Sequence, residues 1–507
     1  MDSSGLVLGT EFGQDDRLLS VSTPNLLHHM LVVGQSGSGK SFMLARLMEE
    51  ILLRTRARIV IVDPNGDFRL FSECSNHDHF HKRFAARFNV VAKACATNGW
   101  RVLDDYDSFL AGWESRFFQY VDAHRERKYI PDEEYEDRVR HSALFIHWAH
   151  LHQEQDFLID TLEVEHSGKA KINMARQAIE KYLGEQVKKG YFPQGYGLLE
   201  LIGVAEQFLR RDIGLEDYAY VKDLSTDDWW LVYAYLQQLY YRYEWLWWHH
   251  PAVRHQNGVE EGVERKKDLL GHLLRPFSKH HPWDEWNACI IGLDRASPDD
   301  ALLAVNFALF RIWKSAQYCW RIALENQRDD RVPTFVVLDE AHNFAPLEAR
   351  NNLQKRVTDK LVQMAAEGRK YGVYLILATQ RPRKLHPSVV LECENVCLLR
   401  VQSQLEQDFA EKEFAIPHDL ARGIHRYKLG QALLSGRWVE GDPIEAQIAP
   451  ARAVVGGGGV PNLWMTPPSL ERRSRPHLGE VIGSAAAADE DEEMAAALSA
   501  TSAGDGK

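Results

Sequence analysis

Short, almost wholly apolar runs recur along this chain and alternate with stretches of helical periodicity. The apolar runs cover residues 30–33, 59–62, 289–293, 334–338 and 373–378. Strands that are apolar at every position are typical of a sheet whose two faces are both covered by helices. Apolar residues at helical spacing follow at 43–52, 299–324 and 350–370. The pattern predicts an α/β fold with a mainly parallel sheet, to which further strands at 396–401 and 431–434 belong.

The turn after the first apolar run has a composition with a specific chemical meaning. It follows the pattern G-x-x-x-x-G-K-S and consists of Gly34, Gln35, Ser36, Gly37, Ser38, Gly39, Lys40 and Ser41. Its glycines let the backbone curl so that several N–H groups point at phosphate oxygens, and the following helix adds its positive end. Lys40 would reach the β- and γ-phosphates, and the Ser41 hydroxyl would hold Mg²⁺. The sequence therefore predicts a site for ATP and Mg²⁺, with a Gly/Ser-rich surface turn as the alternative.

Polar residues that suit phosphoryl transfer follow two later apolar runs. Asp339 and Glu340 end the fourth run, where Asp339 can join the Mg²⁺ shell and Glu340 can accept the proton of the attacking water. The fifth run leads into Gln380 and Arg381. Because residues beyond the ends of parallel strands gather at one edge of the sheet, Gln380 could sense the γ-phosphate or orient the water. Arg381 could face a phosphate or a neighbouring subunit, and the alternative for both is an ordinary turn residue.

Five motifs in one order resemble the HerA branch of the HerA/FtsK superfamily of P-loop ATPases. They are the phosphate loop, Asp63 to Phe68, Leu338 to His342, Glu367 to Gly372 and Thr379 to Pro382. The resemblance covers about 25–75 and 285–450, and Gly430 to Gly436 is similar to that family's closing strand pair. It implies a RecA-like core, a hexameric ring and ATP-driven translocation along double-stranded DNA, often beside a nuclease.

The resemblance also implies roles for individual residues. It makes Glu340 the catalytic base and Gln380 a sensor, and it places Asp63 and Asp67 near the nucleotide. Arg369 would stabilise charge in the transition state, in its own subunit or in a neighbour. The alternative is that Arg369 only interacts with the C-terminal dipole of its helix. Weaker candidates for the same role are Arg422, Arg426 and Arg437.

These motifs divide the chain into four predicted segments. Residues 1–75 would form the first part of the ATPase core, 76–285 a mostly helical insertion and 286–455 the second part of the core. A flexible Gly/Pro/Ala/acidic tail would follow over 456–507, disordered from about residue 466, because it cannot bury enough apolar surface to fold. HerA proteins usually begin with a β-barrel, for which the residues ahead of the phosphate loop are too few. Ring assembly would then depend on the core, the insertion or a partner.

Composition and charge limit the function classes only partly. The net charge of −12 argues against a small DNA-binding module but allows a large machine with a local basic channel. Residues 350–428 carry 14 Lys and Arg against 9 Asp and Glu. No apolar run reaches the length of a membrane span, and the first residues lack the features of a signal peptide. We therefore expect no membrane contact. The six cysteines form no C-x-x-C pair, so we expect free thiols and a cytoplasmic location.

The stretch 205–250 is unusually aromatic. Its tryptophans are Trp229, Trp230, Trp245, Trp247 and Trp248. Stacking platforms for single-stranded nucleic acid are usually interleaved with basic residues, whereas the neighbours here are mainly Leu, Tyr and Val. We therefore predict that these side chains pack in a core.

The leading hypothesis for function is an ATP-hydrolysing, ring-forming motor, a homo-oligomer of six subunits, that threads double-stranded DNA. Its binding of DNA would be independent of sequence, and it would serve a nuclease or other effector in DNA processing or anti-phage defence. The alternative is a non-translocating ATPase scaffold that assembles and regulates a partner enzyme. A third class, the conjugative coupling ATPases, usually carries membrane helices and is disfavoured for that reason.

Overall fold

The computed structural model describes only part of the chain. The described residues are 5–68, 71, 118–122, 166–191, 198–218, 221–242, 288–294, 296–329, 331–439, 441–449, 451 and 455. All of them belong to the first of two compact units, Met1–Gly456. The second unit, Gly457–Lys507, lies outside the described residues, and so does the predicted tail.

The described strands form one eleven-stranded sheet in the order β2-β1-β11-β10-β9-β3-β8-β7-β4-β6-β5. The strands are β1 (Gly5–Glu11), β2 (Gln14–Ser22), β3 (Met30–Val33), β4 (Arg58–Asp63), β5 (Phe118–Asp122), β6 (Ala288–Gly292), β7 (Thr334–Leu338), β8 (Val373–Thr379), β9 (Asn395–Leu398), β10 (Gln431–Gly436) and β11 (Ile444–Ile448). From β5 to β9 in the sheet order all neighbours are parallel. From β9 to β2 they are antiparallel. The predicted α/β fold with a mainly parallel sheet is confirmed.

Helices connect most of the parallel strands. They are α1 (Lys40–Arg54), α2 (His166–Lys188), α3 (Leu198–Leu209), α4 (Thr226–Arg242), α5 (Pro298–Glu325), α6 (Asn352–Tyr371), α7 (Pro387–Val390), α8 (Gln404–Phe414) and α9 (His418–Gly423). The predicted helices at 299–324 and 350–370 correspond to α5 and α6 within two residues at each end. None of the helices that the structure describes is long and apolar enough to cross a membrane.

The alternation of side chains along each central strand divides the core into two layers. Leu31 and Val33 of β3 belong to a cluster that also contains residues of α5 and α6, and residues of α2 to α4. Met30 and Val32 of the same strand belong to a second cluster, with α1 and the antiparallel strands. Successive side chains of a strand point to opposite faces, so each central strand contributes to both layers. This double burial explains why the central strands are apolar at every position between their ends.

The N-terminal strand β1 is attached to the helix that follows the phosphate loop. Arg46 of α1 is buried, and its Nε and Nη2 atoms donate to the carbonyl oxygen of Val7 at 3.1 and 2.8 Å. Glu50 accepts the Val7 N–H at 2.8 Å and pairs with Arg46 at 2.6 Å. The buried charges of Arg46 and Glu50 neutralise each other, so their burial costs less free energy than that of an unpaired charge. The antiparallel edge of the sheet is thus joined to α1 by polar contacts as well as by packing.

Two features differ from the sequence-based expectations. Strand β5 lies in the segment predicted to be mostly helical, and it pairs with β6 as an edge strand of the core sheet. Among the aromatic residues, Trp229 is fully buried and stacks on Phe208 at 4.6 Å, which confirms its predicted core packing. Trp230 is 56 % exposed. The other three tryptophans of that stretch lie outside the described residues.

Candidate nucleotide site

The phosphate loop leaves the carboxyl end of β3 and leads directly into α1. Gly37 and Gly39 have φ angles of 72° and 102°, a left-handed conformation that residues with a side chain rarely adopt. A side chain at Gly34 would overlap the Ser38 hydroxyl and Leu399. Helix α1 begins at Lys40, so its first N–H groups have no partner within the helix and face the loop. This is the geometry of an anion site at a helix N-terminus.

Strand order brings the acidic pair to the same edge of the sheet. Strand β8 lies between β3 and β7, and all three are parallel, so their carboxyl ends lie side by side. The Lys40 ammonium lies 3.6 Å from Glu340 Oε1, although the two residues are 300 positions apart in the sequence. Both side chains are about nine-tenths buried. The predicted proximity of the phosphate loop and the acids after β7 is therefore present in the structure.

Glu340 has an unusual conformation and surroundings. Its φ and ψ angles of 45° and 47° are left-handed, which costs a residue with a side chain about 1–2 kcal/mol. Its Oε2 atom is buried without a hydrogen bond from the described residues and lies 3.4 Å from His342 Nδ1. Burial lowers the pKa of His342, which favours the neutral ring. Backbone strain and an unused buried carboxylate oxygen together are typical of a functional group rather than a structural one.

The neighbouring Asp339 is almost completely buried among other acids. Its Oδ1 atom accepts the backbone N–H of Glu340 at 2.9 Å, and its Oδ2 atom lies 3.4 Å from Asn65 Nδ2. Burial and the nearby Glu340 carboxylate raise the pKa of Asp339 to about 7. A cation bound here would reduce this electrostatic penalty.

The turn after β4 contributes two acids with different contacts. Asp63 accepts the backbone N–H groups of Asp67 at 3.1 Å and Phe68 at 2.8 Å, and burial raises the pKa of Asp63 to about 6. Asp67 accepts the hydroxyl of Ser41 at 2.6 Å. The resemblance implied that both Asp63 and Asp67 lie near the nucleotide. In the structure Asp67 is the one that contacts the phosphate loop.

The oxygen atoms in this region fit Mg²⁺. Ser41, Asp67 and Asp339 supply hydroxyl and carboxylate oxygens, the donors that this cation prefers. No group of three or more His, Cys, Asp or Glu among the described residues could hold a metal by itself. Mg²⁺ is usually bound by one or two carboxylates together with substrate phosphates.

Gln380 and Arg381 follow β8 at the same edge of the sheet. Thr379, the last residue of β8, accepts the N–H of Gly34 at 3.3 Å through its carbonyl oxygen. Its hydroxyl contacts His342 Nδ1 at 3.0 Å and accepts the Arg381 N–H at 2.9 Å. The end of β8 thus bridges the phosphate loop and the Glu340 segment. The structure places Gln380 and Arg381 beside both.

Arg369 is not brought to this site. It lies in the last turn of α6, which returns the chain to the amino end of the next strand, and it pairs with Glu394 at 2.7 Å. Glu394 immediately precedes β9, so both residues lie at the opposite edge of the sheet from the phosphate loop. The prediction that Arg369 acts on the nucleotide of its own subunit is incompatible with this position. Arg437 pairs with the same carboxylate, and an action of either arginine in a neighbouring subunit stays a prediction.

Arg400 is a further basic residue at the nucleotide edge that sequence reasoning missed. It follows β9, and its carbonyl oxygen accepts the N–H of Gln35 at 3.0 Å. Its Nε atom is buried and has no hydrogen-bond partner among the described residues. A buried N–H of a guanidinium is costly without an acceptor, and a phosphate would supply one. A basic residue directly after an apolar strand was the available signal.

The fold and these contacts define a class of protein. A phosphate loop, an acidic pair after a parallel strand and a polar turn after the intervening strand form the nucleotide site of a RecA-like P-loop ATPase. The family model described as "Helicase HerA, central domain" matches residues 13–242, which include the phosphate loop. The resemblance predicted from the motifs is therefore confirmed over this region, where the chain is similar to HerA-type P-loop ATPases.

Curated relatives match over shorter stretches. The DNA double-strand break repair helicase HerA of Sulfolobus acidocaldarius is 29 % identical over 185 residues, which are 36 % of this chain and 36 % of that protein. The protein of the same name from Pyrococcus furiosus is 31 % identical over 109 residues, 21 % of this chain and 19 % of its own length. A probable helicase of Methanocaldococcus jannaschii is 28 % identical over 175 residues, 34 % of this chain and 32 % of that protein. The matched region thus spans about a third or less of each relative's length.

Among solved structures, VirB4 of Thermoanaerobacter pseudethanolicus has a TM-score of 0.48 and 14 % identity. The alignment covers 88 % of this chain and 97 % of that one.

Proposed function

We propose that this chain hydrolyses ATP and uses the energy to move along double-stranded DNA. The observation that carries the proposal is the convergence of Lys40, Ser41 and Glu340 at one edge of the sheet, in a chain that matches the HerA central domain. Two of the three curated relatives named above carry the name DNA double-strand break repair helicase, and this supports duplex DNA as the substrate.

The chemistry of the site follows from its contacts. Mg²⁺, when bound, would neutralise charge on the β- and γ-phosphates. Lys40 lies 3.6 Å from Glu340, so an arriving phosphate competes for the ammonium and leaves the carboxylate free to accept a proton from water. Gln380, directly beyond β8, orients that water or senses the γ-phosphate. Each group acts from a strand end or from α1, and rigid elements of this kind hold the reacting atoms in place.

Coupling to DNA would use the connection between the site and the rest of the sheet. Thr379, the last residue of β8, contacts both the phosphate loop and His342, and its hydroxyl also accepts the N–H of Arg381. Loss of the γ-phosphate would therefore change the position of the loop that follows β8. That loop opens the basic stretch 381–384, which contains Arg381, Arg383 and Lys384. Contacts of such residues with phosphates are independent of base sequence and sensitive to salt.

The assembly belongs to the same proposal. Arg369 and Arg437 are both partly exposed at the edge opposite the nucleotide and share one carboxylate. In a ring of six subunits this edge would approach the nucleotide of a neighbour, where an arginine stabilises transition-state charge. We further propose that the ring serves a nuclease or another effector enzyme in DNA processing or anti-phage defence.

Steady-state ATP hydrolysis tests the proposal, measured with and without linear duplex DNA. We expect hydrolysis to rise severalfold with duplex at about 50 mM salt and to lose most of that stimulation at about 200 mM, because phosphate contacts weaken with salt. Hydrolysis that ignores DNA at both salt concentrations, but responds to a partner enzyme, would favour the non-translocating scaffold instead.

A further inference from the structure

The turn after β4 contains two acids, Asp63 and Asp67, four positions apart and both close to the phosphate loop. Asp63 has no exposed surface, and its two carboxylate oxygens each accept a backbone N–H of the turn, from Asp67 and from Phe68. Each oxygen of Asp63 is therefore engaged in holding the turn. Asp63 fixes the shape of the turn, and Asp67 is the acid of this turn whose side chain contacts the phosphate loop.

Asp67 contacts Ser41 of the phosphate loop, the residue that the sequence predicts to bind Mg²⁺. The Ser41 hydroxyl donates its hydrogen to Asp67 Oδ2 at 2.6 Å. A hydroxyl carries one hydrogen and two lone pairs, and an ionised carboxylate can only accept. The direction of this hydrogen bond is therefore determined: the hydrogen points to Asp67. Both lone pairs of Ser41 remain available for a cation.

The rest of the turn is shaped to keep Asp67 in this position. Gly66 has a φ of 75°, and a side chain there would press on Asp294 at 3.3 Å. Asn65 reaches the other way and lies 3.4 Å from Asp339 Oδ2. The turn thus lies between the phosphate loop and the acid at the end of β7.

Asp339 is engaged differently. One of its oxygens accepts the Glu340 N–H at 2.9 Å, and the other lies 3.4 Å from Asn65 Nδ2. The described hydrogen bond of the Ser41 hydroxyl goes to Asp67 and not to Asp339. The carboxylates of Asp339 and Asp67 would therefore have different roles at the metal. Asp339 offers an oxygen to the cation or its water shell, and Asp67 orients the hydroxyl that binds the cation.

We propose that Asp67 is the positioning residue of the Mg²⁺ site, acting through Ser41. It holds the Ser41 hydrogen away from the metal and adds a negative charge behind the hydroxyl. This inference rests on the proposed function, because it presumes that Mg²⁺ and a nucleoside triphosphate bind at the phosphate loop. Partners of this kind behind a metal ligand typically change metal affinity by about 10–100-fold when they are removed.

The test is a double-mutant cycle on the full chain, with nucleotide binding as its readout. Binding of a fluorescent, non-hydrolysable ATP analogue is measured with Mg²⁺ and with EDTA, and the ratio of the two affinities is the Mg²⁺ gain. We expect Asp67→Asn to lower this gain about tenfold or more, with binding in EDTA little changed. Ser41→Ala should have a similar effect. The double variant should lose no more than about a further factor of two, because coupled residues are not additive.

Matched variants separate this role from a structural one. Asp294→Asn removes a carboxylate that lies next to Gly66 of the same turn, and should keep the wild-type Mg²⁺ gain. Asp67→Ser keeps the backbone N–H that Asp63 accepts, and serves if the Asn variant does not fold. Thermal unfolding of each variant in EDTA reports on the fold itself.

The outcomes separate a failure of the role proposed for Asp67 from a failure of the proposed ATPase function. An unchanged Mg²⁺ gain in Asp67→Asn would overturn this inference and leave ATP binding intact. An equal loss from Asp67→Asn in the wild-type and Ser41→Ala backgrounds would also overturn it, because Asp67 would then act on the metal without Ser41. If the wild-type chain binds no analogue in either condition, the proposed function itself fails.

Discussion

Replacement of Glu340 by Gln should lower ATP hydrolysis at least ~100-fold while ATP binding stays close to that of the wild type. The amide has almost the same shape as the carboxylate but cannot accept a proton from water. Glu340 is the buried group with the strongest case for this role, because its Oε2 atom has no hydrogen-bond partner among the described residues and Lys40 approaches the other oxygen. Steady-state hydrolysis and equilibrium binding of a fluorescent ATP analogue measure the two effects separately.

The control for this variant comes from the same loop. Glu348 is exposed and lies eight residues further along the chain, so Glu348→Gln removes an equal charge outside the site. It should turn over ATP at the wild-type rate. Normal turnover by Glu340→Gln would remove Glu340 as the base and with it the mechanism described above. A loss of binding together with turnover would make Glu340 a binding residue instead.

Replacement of Gly436 by Ala should destabilise the fold by about 3 kcal/mol or more, the range of overpacking combined with backbone strain. Gly436 ends β10 with a φ of 107°, which disfavours any residue with a side chain. A Cβ atom at this position would also overlap the carbonyl oxygen of Glu394. Because that overlap is with backbone, neither strand can relieve it by a change of rotamer. Denaturant unfolding of the variant and the wild type measures the difference.

Gly441 provides a matched control, because it shares the positive φ angle of Gly436 but has free space where a Cβ atom would lie. Its φ of 110° is nearly the same, but a Cβ atom there would meet no other atom within 4 Å. Gly441→Ala should therefore show the strain alone, about 1–2 kcal/mol. Equal losses for the two variants would show that the close approach of β10 to Glu394 contributes nothing.

The central part of the fold could be predicted because its physical signal is local. Strands β3, β4, β7 and β8 are buried on both faces, and this favours apolar residues at every position between their ends. The antiparallel strands carry no such signal. Strand β2, at the edge of the sheet, contains Asp15, Asp16 and Arg17 in its sequence, and β11 begins with the half-buried Ile444 and Glu445, so neither is a continuous apolar run. Their pairing also joins residues about 440 positions apart, as in Gly9 and Ile448, which no local pattern reveals.

The site shows the same limit. The order of motifs predicted a site with Lys40, Glu340 and Gln380, because Lys40 belongs to a phosphate-loop pattern and the other two closely follow strands that could be recognised. Spacing alone does not tell to which end of the sheet a helix returns, so Arg369 was predicted near the nucleotide although α6 ends at the other edge. Nor does it tell which of two acids in one turn faces the loop. That distinction between Asp63 and Asp67 depends on hydrogen bonds that exist only in the folded turn.

A chain that moves along duplex DNA should displace a third DNA strand bound in its path. A labelled oligonucleotide forms a triplex near one end of a linear duplex, and its release is followed after addition of ATP and Mg²⁺. We expect release by the wild-type chain, release that depends on the length of free duplex, and none by Glu340→Gln. If the wild-type chain hydrolyses ATP under these conditions but releases no third strand, the proposed movement along DNA is wrong and the chain is an ATPase that does not translocate.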